Sequence, residues 1–391
     1  MICLKKLVGT VVLLVFSIIG SHSAWSFDEI HLKKFKALNK CEKCDLRNIK
    51  NLGKALKGAK LSGSDLSGAN LTDVDLSRSD LTNVNLSNAN LTGVNFTDSN
   101  LSYANLTGSI MSGVNLAGTS LSYANLSGAN LTRADFYITK LAMANLSNAN
   151  LSNTKFRSAK LPGADLSGAN LSKADLDTWT DVTGVNFYNV NFTDTYLAGV
   201  KFIRTNLRGA NFQGAYLGWS EFLGIKMVGV NLSNTKLYGA NFSGADLSGA
   251  SFAKSTTSCK PGCDVEGFKL NLSQTILIDA DLSQSNLTNT DLSGSNLTRA
   301  DFSGTTLKNT NTKGTVVCKT KMPWGEENTD CKKGGTANRD EVKKKSVANY
   351  NMCKKGCADK YVTCAMGTDI KPERCADNSN QCLYDCKDKF Q

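Results

Sequence analysis

Histidine is the residue that this sequence most clearly lacks: 391 residues contain two, His22 and His31. His22 falls in a segment that we expect to be removed, so that His31 alone remains. A metal cluster built on histidines is therefore excluded, and a Ser-His-Asp triad would have to be built on His31. Proline is also scarce, with 4 residues, but 41% of the chain is apolar, which is too much for a disordered protein.

Long apolar runs are also missing, apart from one near the N-terminus. The run from Val8 to Ile19 follows Lys5 and Lys6, and it is too short to span a bilayer comfortably. This arrangement is typical of a secretory signal, and we expect residues 1–26 to be a signal peptide. An uncleaved membrane anchor is the alternative interpretation. We expect the mature chain to be secreted or periplasmic and to contain no transmembrane segment.

The cysteine count supports export. The chain has 13 cysteines, and Cys3 lies in the predicted signal, which leaves an even number in the mature protein. An even number of cysteines in an exported chain indicates a disulfide framework.

A five-residue repeat fills most of the chain. From Leu56 to Leu307 a Leu, Phe or Met recurs every five residues with few breaks. A small residue lies two positions before it, Asp or Asn lies one position before it, and Ser or Thr usually follows. The repeating unit is Ala-(Asp/Asn)-Leu-(Ser/Thr)-X, and it is clearest around Leu61, Leu66, Leu71, Leu76, Leu81, Leu86, Leu91, Phe96, Leu101 and Leu106.

A period of five fits neither a helix nor a plain strand. In an extended segment, residues two positions apart point to the same side. If the chain turns a corner after every five residues, the large and the small residue both point into one narrow lumen, where they can pack tightly. Four such sides close a square coil of about 20 residues, and each coil stacks on the next with the spacing of neighbouring strands.

This pattern resembles the pentapeptide repeat family. The resemblance covers about 250 residues and implies an all-β solenoid, a right-handed quadrilateral β-helix, over residues 46–310. With coils stacked at ~4.8 Å, we expect a rod about 60 Å long. The motif is very specific for the fold and says almost nothing about function.

Two stretches depart from the repeat. At 177–183 one step between lumen residues is six residues long, which predicts one extra residue at a corner. At 253–271 the motif is missing, and Cys259 and Cys263 indicate a turn closed by a disulfide. The spacing leaves open whether this second stretch replaces a coil or loops out beyond one.

The open end of a stacked coil needs a cover, because unpaired backbone groups invite aggregation. Residues 27–45 predict an N-terminal cap with a short amphipathic helix. Cys41 and Cys44 fall at lumen positions, and we expect a disulfide between them in the first coil. A metal site would need two more ligands and none lie nearby, and a thioredoxin-like redox role lacks its βαβ context. The apolar residues of the predicted helix are Phe27, Ile30, Leu32, Phe35 and Leu38.

A second cap is expected after the repeat ends at Leu307. Residues 311–335 contain Cys318 and Cys331. This segment resembles the cysteine-bounded closing segment that follows the last coil in many pentapeptide repeat proteins. The resemblance implies a C-terminal cap closed by a Cys318–Cys331 disulfide.

Residues 336–391 differ in composition from the rest: they are rich in Lys, with six Cys and no Ala-Asn-Leu unit. The cysteine spacing is nearly palindromic, with steps of 4 and 7 followed by steps of 7 and 4. On two antiparallel helices these steps put three thiols on one face of each helix. A zinc-binding hairpin is the alternative to disulfides. We expect a small disulfide-linked helical hairpin, similar to known twin Cys-x3-Cys hairpins, with the pairs Cys353–Cys386, Cys357–Cys382 and Cys364–Cys375.

The net charge of +11 is distributed unevenly. Residues 59–309 carry 18 basic and 19 acidic residues, so the repeat is nearly neutral while both ends are basic. The best-known activity of the resembling family, mimicry of DNA to protect gyrase, needs an acidic rod in the cytoplasm. This rod is nearly neutral and is expected to be exported, so we do not expect that role. The basic C-terminal region could attract nucleic acid, but the exported compartment argues against such a partner and favours anionic lipid headgroups or cell-wall polymers. We interpret this region first as a solvated helix face, with such a polymer or lipid surface as the alternative.

Residues one coil apart lie above one another, which brings aromatic side chains into columns. Aromatic groups on a regular surface can bind sugar rings, peptides or a partner protein, although cross-strand ladders can also serve stability alone. Tyr196, Tyr216 and Lys236 form one predicted column, and an earlier column contains Tyr103, Tyr123 and Met143. On an adjacent face Tyr188 lies over Arg208. The candidate binding residues are Tyr188, Tyr196, Arg208, Tyr216, Trp219, Lys236 and Tyr238.

These features predict an exported, non-enzymatic structural or interaction scaffold with no cofactor and no metal. Its expected partner is a protein or a cell-envelope polymer. The alternative function is a ligand-binding module that uses the aromatic face for a glycan or a protein. An enzyme is a third interpretation: Asp279 and Asp281 form an acid pair, but they belong to an evenly spaced surface array that implies no pocket.

Overall fold

The computed structural model describes residues 28–50, 53, 55–257 and 269–331. The chain divides into two compact units, Met1–Glu221 with Val230–Ala240 and Phe222–Gly229 with Asn241–Gln391. We describe each unit by itself, over its described residues. The predicted signal peptide, the Cys259–Cys263 turn and the predicted hairpin of residues 336–391 lie outside the described residues.

The first unit is built from coils of four five-residue sides, as the repeat predicts. Parallel bridges such as Asp65↔Asn85 join residues 20 apart and recur every five residues along the chain. Each side ends in a turn closed by a backbone hydrogen bond, for example from Ser64 N–H to the Leu61 carbonyl at 3.0 Å. The third residue of the turn has a positive φ, 66° at Gly63, which explains why Gly and Asn are frequent there.

The core is a column of fully buried side chains inside the coils. The large residue of each unit points inward, and Phe136 and Phe156 stack at 4.5 Å in consecutive coils. The small residue two positions earlier also points inward. Where it is Ser or Thr, its hydroxyl often donates to a buried carbonyl, as Thr139 Oγ1 does to Leu116 O at 2.7 Å. Most polar lumen positions are satisfied in this way, whereas the buried hydroxyls of Thr205, Ser255 and Thr290 have no hydrogen-bond partner.

The Asp or Asn one position before the large residue lies on the outside and has two structural tasks. Its side-chain oxygen accepts from the backbone N–H two residues on, as Asp65 Oδ1 does from Ser67 at 2.9 Å. The same oxygen can also accept from the side chain at this position in the next coil: Asn85 Nδ2 donates to Asp65 Oδ1 at 3.0 Å. These contacts cap the turns and hold consecutive coils in register.

The N-terminal cap contains helix α1, Glu29–Leu38. Asp28 caps its first turn, with Oδ1 accepting from Ile30 N–H at 2.8 Å. Phe35 is fully buried, but Ile30 and Leu38 are 75% and 65% exposed, so the predicted apolar face is wrong for these two residues. Ile30 lies on the side of α1 away from Phe35, and Leu38 is the last residue of the helix. The coil does not cover either position.

The coil begins earlier than predicted. Lys40 already bridges to Lys60, so the ladder starts within the segment that we expected to be cap alone. Cys41 and Cys44 are buried in the lumen of this first coil and joined by a disulfide. The backbone of α1 is tied to the same coil, since Asp28 N–H donates to Asp45 O at 3.1 Å.

The first irregular stretch contains one extra residue, as predicted. Four consecutive bridges, from Lys160↔Asp181 to Asp175↔Tyr196, join residues 21 apart, whereas Lys155↔Asp175 before them and Asn186↔Asn206 after them join residues 20 apart. The extra residue is Asp177. Thr180 regains the inward position two residues before Val182, and both are buried.

The second unit repeats the coil with one larger insertion. Bridge partners such as Asn241↔Asn271 lie 30 apart, which is ten residues more than one coil contains, so the insertion adds to this coil and does not replace it. The predicted start of this irregular stretch at residue 253 is wrong, because Thr256 still bridges to Asn286. Backbone pairing needs no Leu, and Ser255 fills the small lumen position of that side.

The coil also ends later than predicted. The ladder continues beyond residue 310 to Lys321, which bridges to Asp301. Thr320 takes the small lumen position, its Oγ1 donating to Leu297 O at 2.8 Å. Strands β1, Thr320–Met322, and β2, Gly325–Glu327, then form an antiparallel hairpin, and Cys318–Cys331 closes the segment.

No helix in the described parts of the chain has the length and apolar character needed to cross a membrane.

Candidate binding face

The candidate aromatic column lies on one side of the first unit. Bridges Asp175↔Tyr196 and Tyr196↔Tyr216 continue to Lys236, so that four consecutive coils contribute one outward residue each. We call this the Tyr196 side. The rings of Tyr196 and Tyr216 stack at 4.9 Å with 12° between their planes. Lys236 Nζ lies 6.0 Å from the centre of the Tyr216 ring, within the range of a cation–π contact.

Exposure differs along the column. Tyr196 is 44% exposed, whereas Tyr216 is half-buried between its neighbours. Burial raises the pKa of the Tyr216 hydroxyl, and the nearby Tyr196 adds to the shift. The Tyr216 hydroxyl therefore stays neutral at physiological pH, and Tyr196 presents the open end of the stack.

Trp219 and Tyr238 lie at the corner that follows the Tyr196 side. Their rings meet edge to face at 4.6 Å, and Tyr238 makes a similar contact with Tyr216 at 5.4 Å. Trp219 is 41% exposed, but Tyr238 is buried, so Tyr238 is wrong as a predicted contact residue. The cause is Gly218: a Cβ there would lie 2.8 Å from Tyr238 Cζ, and its absence lets the ring lie down on the backbone.

Tyr188 and Arg208 do not belong to the Tyr196 side. Asn189 N–H donates to Arg208 O at 2.9 Å, which places the two turns in consecutive coils at another corner. The side that bears the Asn191↔Asn211 bridge separates them from Tyr196. The predicted set therefore contains two surfaces, and only Tyr196, Tyr216, Trp219 and Lys236 form a continuous exposed one.

The sequence reasoning missed a hollow beside Tyr196. The extra residue Asp177 displaces the corner at this coil, and an open hollow of about 490 Å³ lies next to it. Arg157 pairs with Asp175 across consecutive coils, with Nε and Nη2 at 2.9 Å and 2.8 Å from Oδ2. This bond raises the pKa of Arg157. The residues that line the hollow are Arg157, Lys173, Ala174, Asp175, Asp177, Asp194 and Tyr196.

Asp177 is held in place by its own contacts. Its Oδ1 accepts from Ser158 N–H at 3.0 Å, Trp179 N–H at 3.2 Å and Thr180 Oγ1 at 3.0 Å. Trp179 itself is 76% exposed. The six-residue step in the repeat was the available signal for this site, because a displaced corner must leave space beside it.

The hollow and the Tyr196 side combine an aromatic ring, an Arg–carboxylate pair and further charged groups. A ring can stack on the apolar face of a sugar or on a peptide side chain, and the fixed polar groups can bind hydroxyls or amides. The chemistry is that of a shallow recognition surface.

The acid pair that motivated an enzymatic interpretation has a structural role. Asp279 is held by a bidentate pair with Arg299, both contacts at 2.6 Å, and this bond lowers the Asp279 pKa. Asp281 accepts from Ser283 N–H at 2.9 Å, like other residues at its repeat position. A general acid needs a raised pKa, which Asp279 does not have. Within the described residues, no three His, Cys, Asp or Glu side chains lie together as a metal site would need.

Comparison with known families identifies the class of protein. The model for pentapeptide repeats matches eight times, over residues 59–98, 99–137, 140–177, 178–222, 224–255 and 271–311. The chain belongs to the pentapeptide repeat family, as its motif predicted, and proteins of this family form right-handed quadrilateral β-helices.

Solved structures similar to this chain are also pentapeptide repeat proteins. HetL from the cyanobacterium Nostoc sp. strain PCC 7120, involved in heterocyst differentiation regulation, is 26% identical, with 66% of this chain and 90% of HetL covered and a TM-score of 0.25. QnrB1, a plasmid-mediated fluoroquinolone resistance protein, is 15% identical, with 56% and 84% covered and a TM-score of 0.22. A thylakoid-lumen protein from Arabidopsis thaliana is 16% identical, with 38% and 70% covered and a TM-score of 0.13. No curated protein matches the chain.

Proposed function

We propose that the chain is an exported, non-enzymatic interaction scaffold. The observation that carries the proposal is the aromatic surface on the outside of the coil, where Tyr196 and Trp219 are exposed and Tyr196 stacks on the half-buried Tyr216. Groups suited to bind a partner lie on an open side, and pentapeptide repeat proteins are generally non-enzymatic regulators or scaffolds. A basic disulfide-rich hairpin over residues 336–391 remains part of the prediction.

Export is supported by the predicted signal and by the position of the cysteines. Cys41–Cys44 lies in the first coil and Cys318–Cys331 follows the last one, so both ends of the ladder carry a covalent link that needs an oxidising compartment.

The test of export is the mature protein itself. N-terminal sequencing and intact mass of the protein from the producing cells should give a chain that begins near residue 27 and carries no free thiols. A cytoplasmic chain that keeps its first 26 residues, with free cysteines, would refute export. Thiol titration under denaturing conditions separates the two outcomes, because it counts buried cysteines as well.

A ligand-binding function for the Tyr196 side is the second candidate, for a glycan or a partner protein. The hollow beside Tyr196 favours it, because a stability ladder needs stacked rings but no adjoining space lined with charged groups.

Variants that respect the fold can test this surface. Two of the substitutions are Tyr196→Asn and Tyr216→Asn. Asparagine fits this position of the coil, since Asn95 and Asn115 occupy it in earlier coils of the same column. Trp219→Gly suits its φ of 58°. We expect the triple variant to keep its melting temperature within a few degrees and to lose capture of purified glycans or envelope proteins.

The control for this experiment is Tyr188→Ser, which removes an exposed aromatic ring from a different corner. Equal capture by the wild type, the control and the triple variant would show that the Tyr196 side serves stability alone.

A further inference from the structure

A second exposed surface of the first unit carries large side chains where the turn disfavours them. Tyr103, Tyr123 and Met143 occupy the same corner in consecutive coils, with φ values of 61°, 60° and 57°. Gly63 and Asn83 hold the equivalent position in the two preceding coils. Because bulky residues are strained in this region, the turn itself gives no reason for them.

These side chains are open to solvent. Tyr103, Tyr123 and Met143 are 56%, 54% and 56% exposed. The two tyrosine rings stack at 5.0 Å with 4° between their planes, so their edges and hydroxyls make up the exposed part. Tyr137, at the neighbouring corner, is 50% exposed.

The side between these corners carries two positive charges in succession. Lys140 and Lys160 are bridge partners in consecutive coils, both exposed. Neither forms an ion pair with any of the residues that the structure describes, although Asp181 is the bridge partner of Lys160 in the next coil. Further along the same column, beyond Asp181, Lys201 does pair with Glu221 at 3.1 Å. Like charges placed directly opposite each other are destabilising, so this pair also has no role in folding.

We infer that this surface, formed by Tyr103, Tyr123, Tyr137, Lys140, Met143 and Lys160, binds an acidic polysaccharide that runs along the stacking direction of the coils. Carboxylates would pair with the two ammonium groups, and the tyrosine edges and hydroxyls would contact the sugar rings. The surface is distinct from the Tyr196 side, so the inference does not depend on the proposed function.

The spacing of the ladder selects a polysaccharide over an acidic peptide. Consecutive coils lie ~4.8 Å apart, whereas side chains on the same face of an extended peptide recur only every ~6.7 Å. A polysaccharide also offers apolar ring faces to the tyrosine edges, which an acidic peptide does not, and the flexible lysine side chains reach carboxylates of neighbouring units.

Titration calorimetry with the mature, oxidised full chain tests the inference. The probe is a β-1,4-linked mannuronate oligosaccharide of defined length, and its uncharged match is a β-1,4-mannan oligosaccharide of the same length. We expect the mannuronate to bind at least about tenfold more tightly than the mannan, with an affinity that falls as salt is added.

Two double variants locate the site. Lys140→Ala/Lys160→Ala should weaken mannuronate binding at least about tenfold. Lys226→Ala/Lys254→Ala removes the same charge from exposed positions outside this column and should leave the affinity unchanged. Tyr103→Gly/Tyr123→Gly should also weaken binding while the fold is kept, because glycine suits their positive φ.

Three results would overturn the inference. The first is no binding of mannuronate. The second is an equal loss in both lysine variants, which would indicate attraction to net charge alone. The third is equally tight binding of an oligoglutamate peptide, which would indicate an acidic protein as the partner.

Discussion

Asp177 shows how one residue can reshape a repetitive surface. A carboxylate at this point accepts from Ser158 N–H, Trp179 N–H and Thr180 Oγ1, which are the groups that the displaced corner would otherwise leave unpaired. Thr180 Oγ1 also donates to Phe156 O at 2.8 Å, so the contact reaches into the lumen. The extra residue is thus accommodated by side-chain hydrogen bonds.

Removing this carboxylate should destabilise the first unit. Asp177→Ala leaves the Ser158 and Trp179 N–H groups without their acceptor, while Thr180 Oγ1 keeps its bond to Phe156 O, and we expect a loss of about 1–3 kcal/mol in the free energy of unfolding. Asp135→Ala is the matched control, because Asp135 accepts a single bond, from Tyr137 N–H at 3.0 Å. Urea unfolding followed by circular dichroism measures both variants. A loss for Asp177→Ala no larger than that for Asp135→Ala would show that the corner does not depend on the carboxylate.

At the scale of the coil, the five-residue period was enough to predict which residues enter the lumen. Cys44 lies two positions before Leu46, on the same side of an extended segment, and Cys41 lies one full repeat of five before it, so both could be placed inside before their burial was known. The same reasoning predicted an extra residue at 177–183, because an added residue changes the register wherever it falls.

The boundaries of the coil could not be predicted from the motif, because backbone pairing does not require it. Lys321 continues the ladder with Thr320 in the lumen, although no Leu unit is present there. The motif reports side-chain packing, while the ladder extends wherever a neighbouring coil offers free N–H and C=O groups. The repeat therefore marks the interior of the coil better than its ends.

The candidate site was predictable only in outline. The coil period placed Tyr196 above Tyr216, but the burial of Tyr238 depends on a missing Cβ at Gly218. The hollow depends on how the corner at Asp177 is displaced in three dimensions. The six-residue step marks where the corner is displaced, but the shape of the hollow and the burial of Tyr238 cannot be inferred from the period of the repeat.

Each end of the ladder is covered by an element outside the repeat. Helix α1 buries Phe35 and joins the first coil through Asp28 and Asp45. After the last coil, β2 pairs with β1 and so occupies part of the edge that β1 would expose. Both devices oppose edge-to-edge pairing between copies, which is the hazard of any open ladder.

At the scale of the whole molecule, carboxylates distributed along the chain share one response to pH. The pKa values of Asp45, Asp75, Asp279 and Asp301 are all lowered from the ordinary value of 3.8. In each case the main cause is a hydrogen bond to the carboxylate. The donor is an arginine for two of them, Arg47 for Asp45 and Arg299 for Asp279. It is a serine for the other two, Ser77 for Asp75 and Ser303 for Asp301. The folded protein therefore holds these groups ionised to lower pH than the unfolded chain does.

This difference fixes the sign of the pH dependence. Just below the ordinary carboxyl pKa the unfolded chain binds more protons, so the free energy of unfolding falls as the pH falls through the lowered values of the folded state. We expect stability to be nearly constant between about pH 7 and pH 5 and to decline below about pH 4. Urea unfolding at a series of pH values measures this profile. Asp279→Asn combined with Arg299→Ala should give a shallower decline, because it removes one of the contributing carboxylates and its partner. A profile that already declines near pH 6, or one that the double variant leaves unaltered, would contradict the assignment of acid sensitivity to these carboxylates.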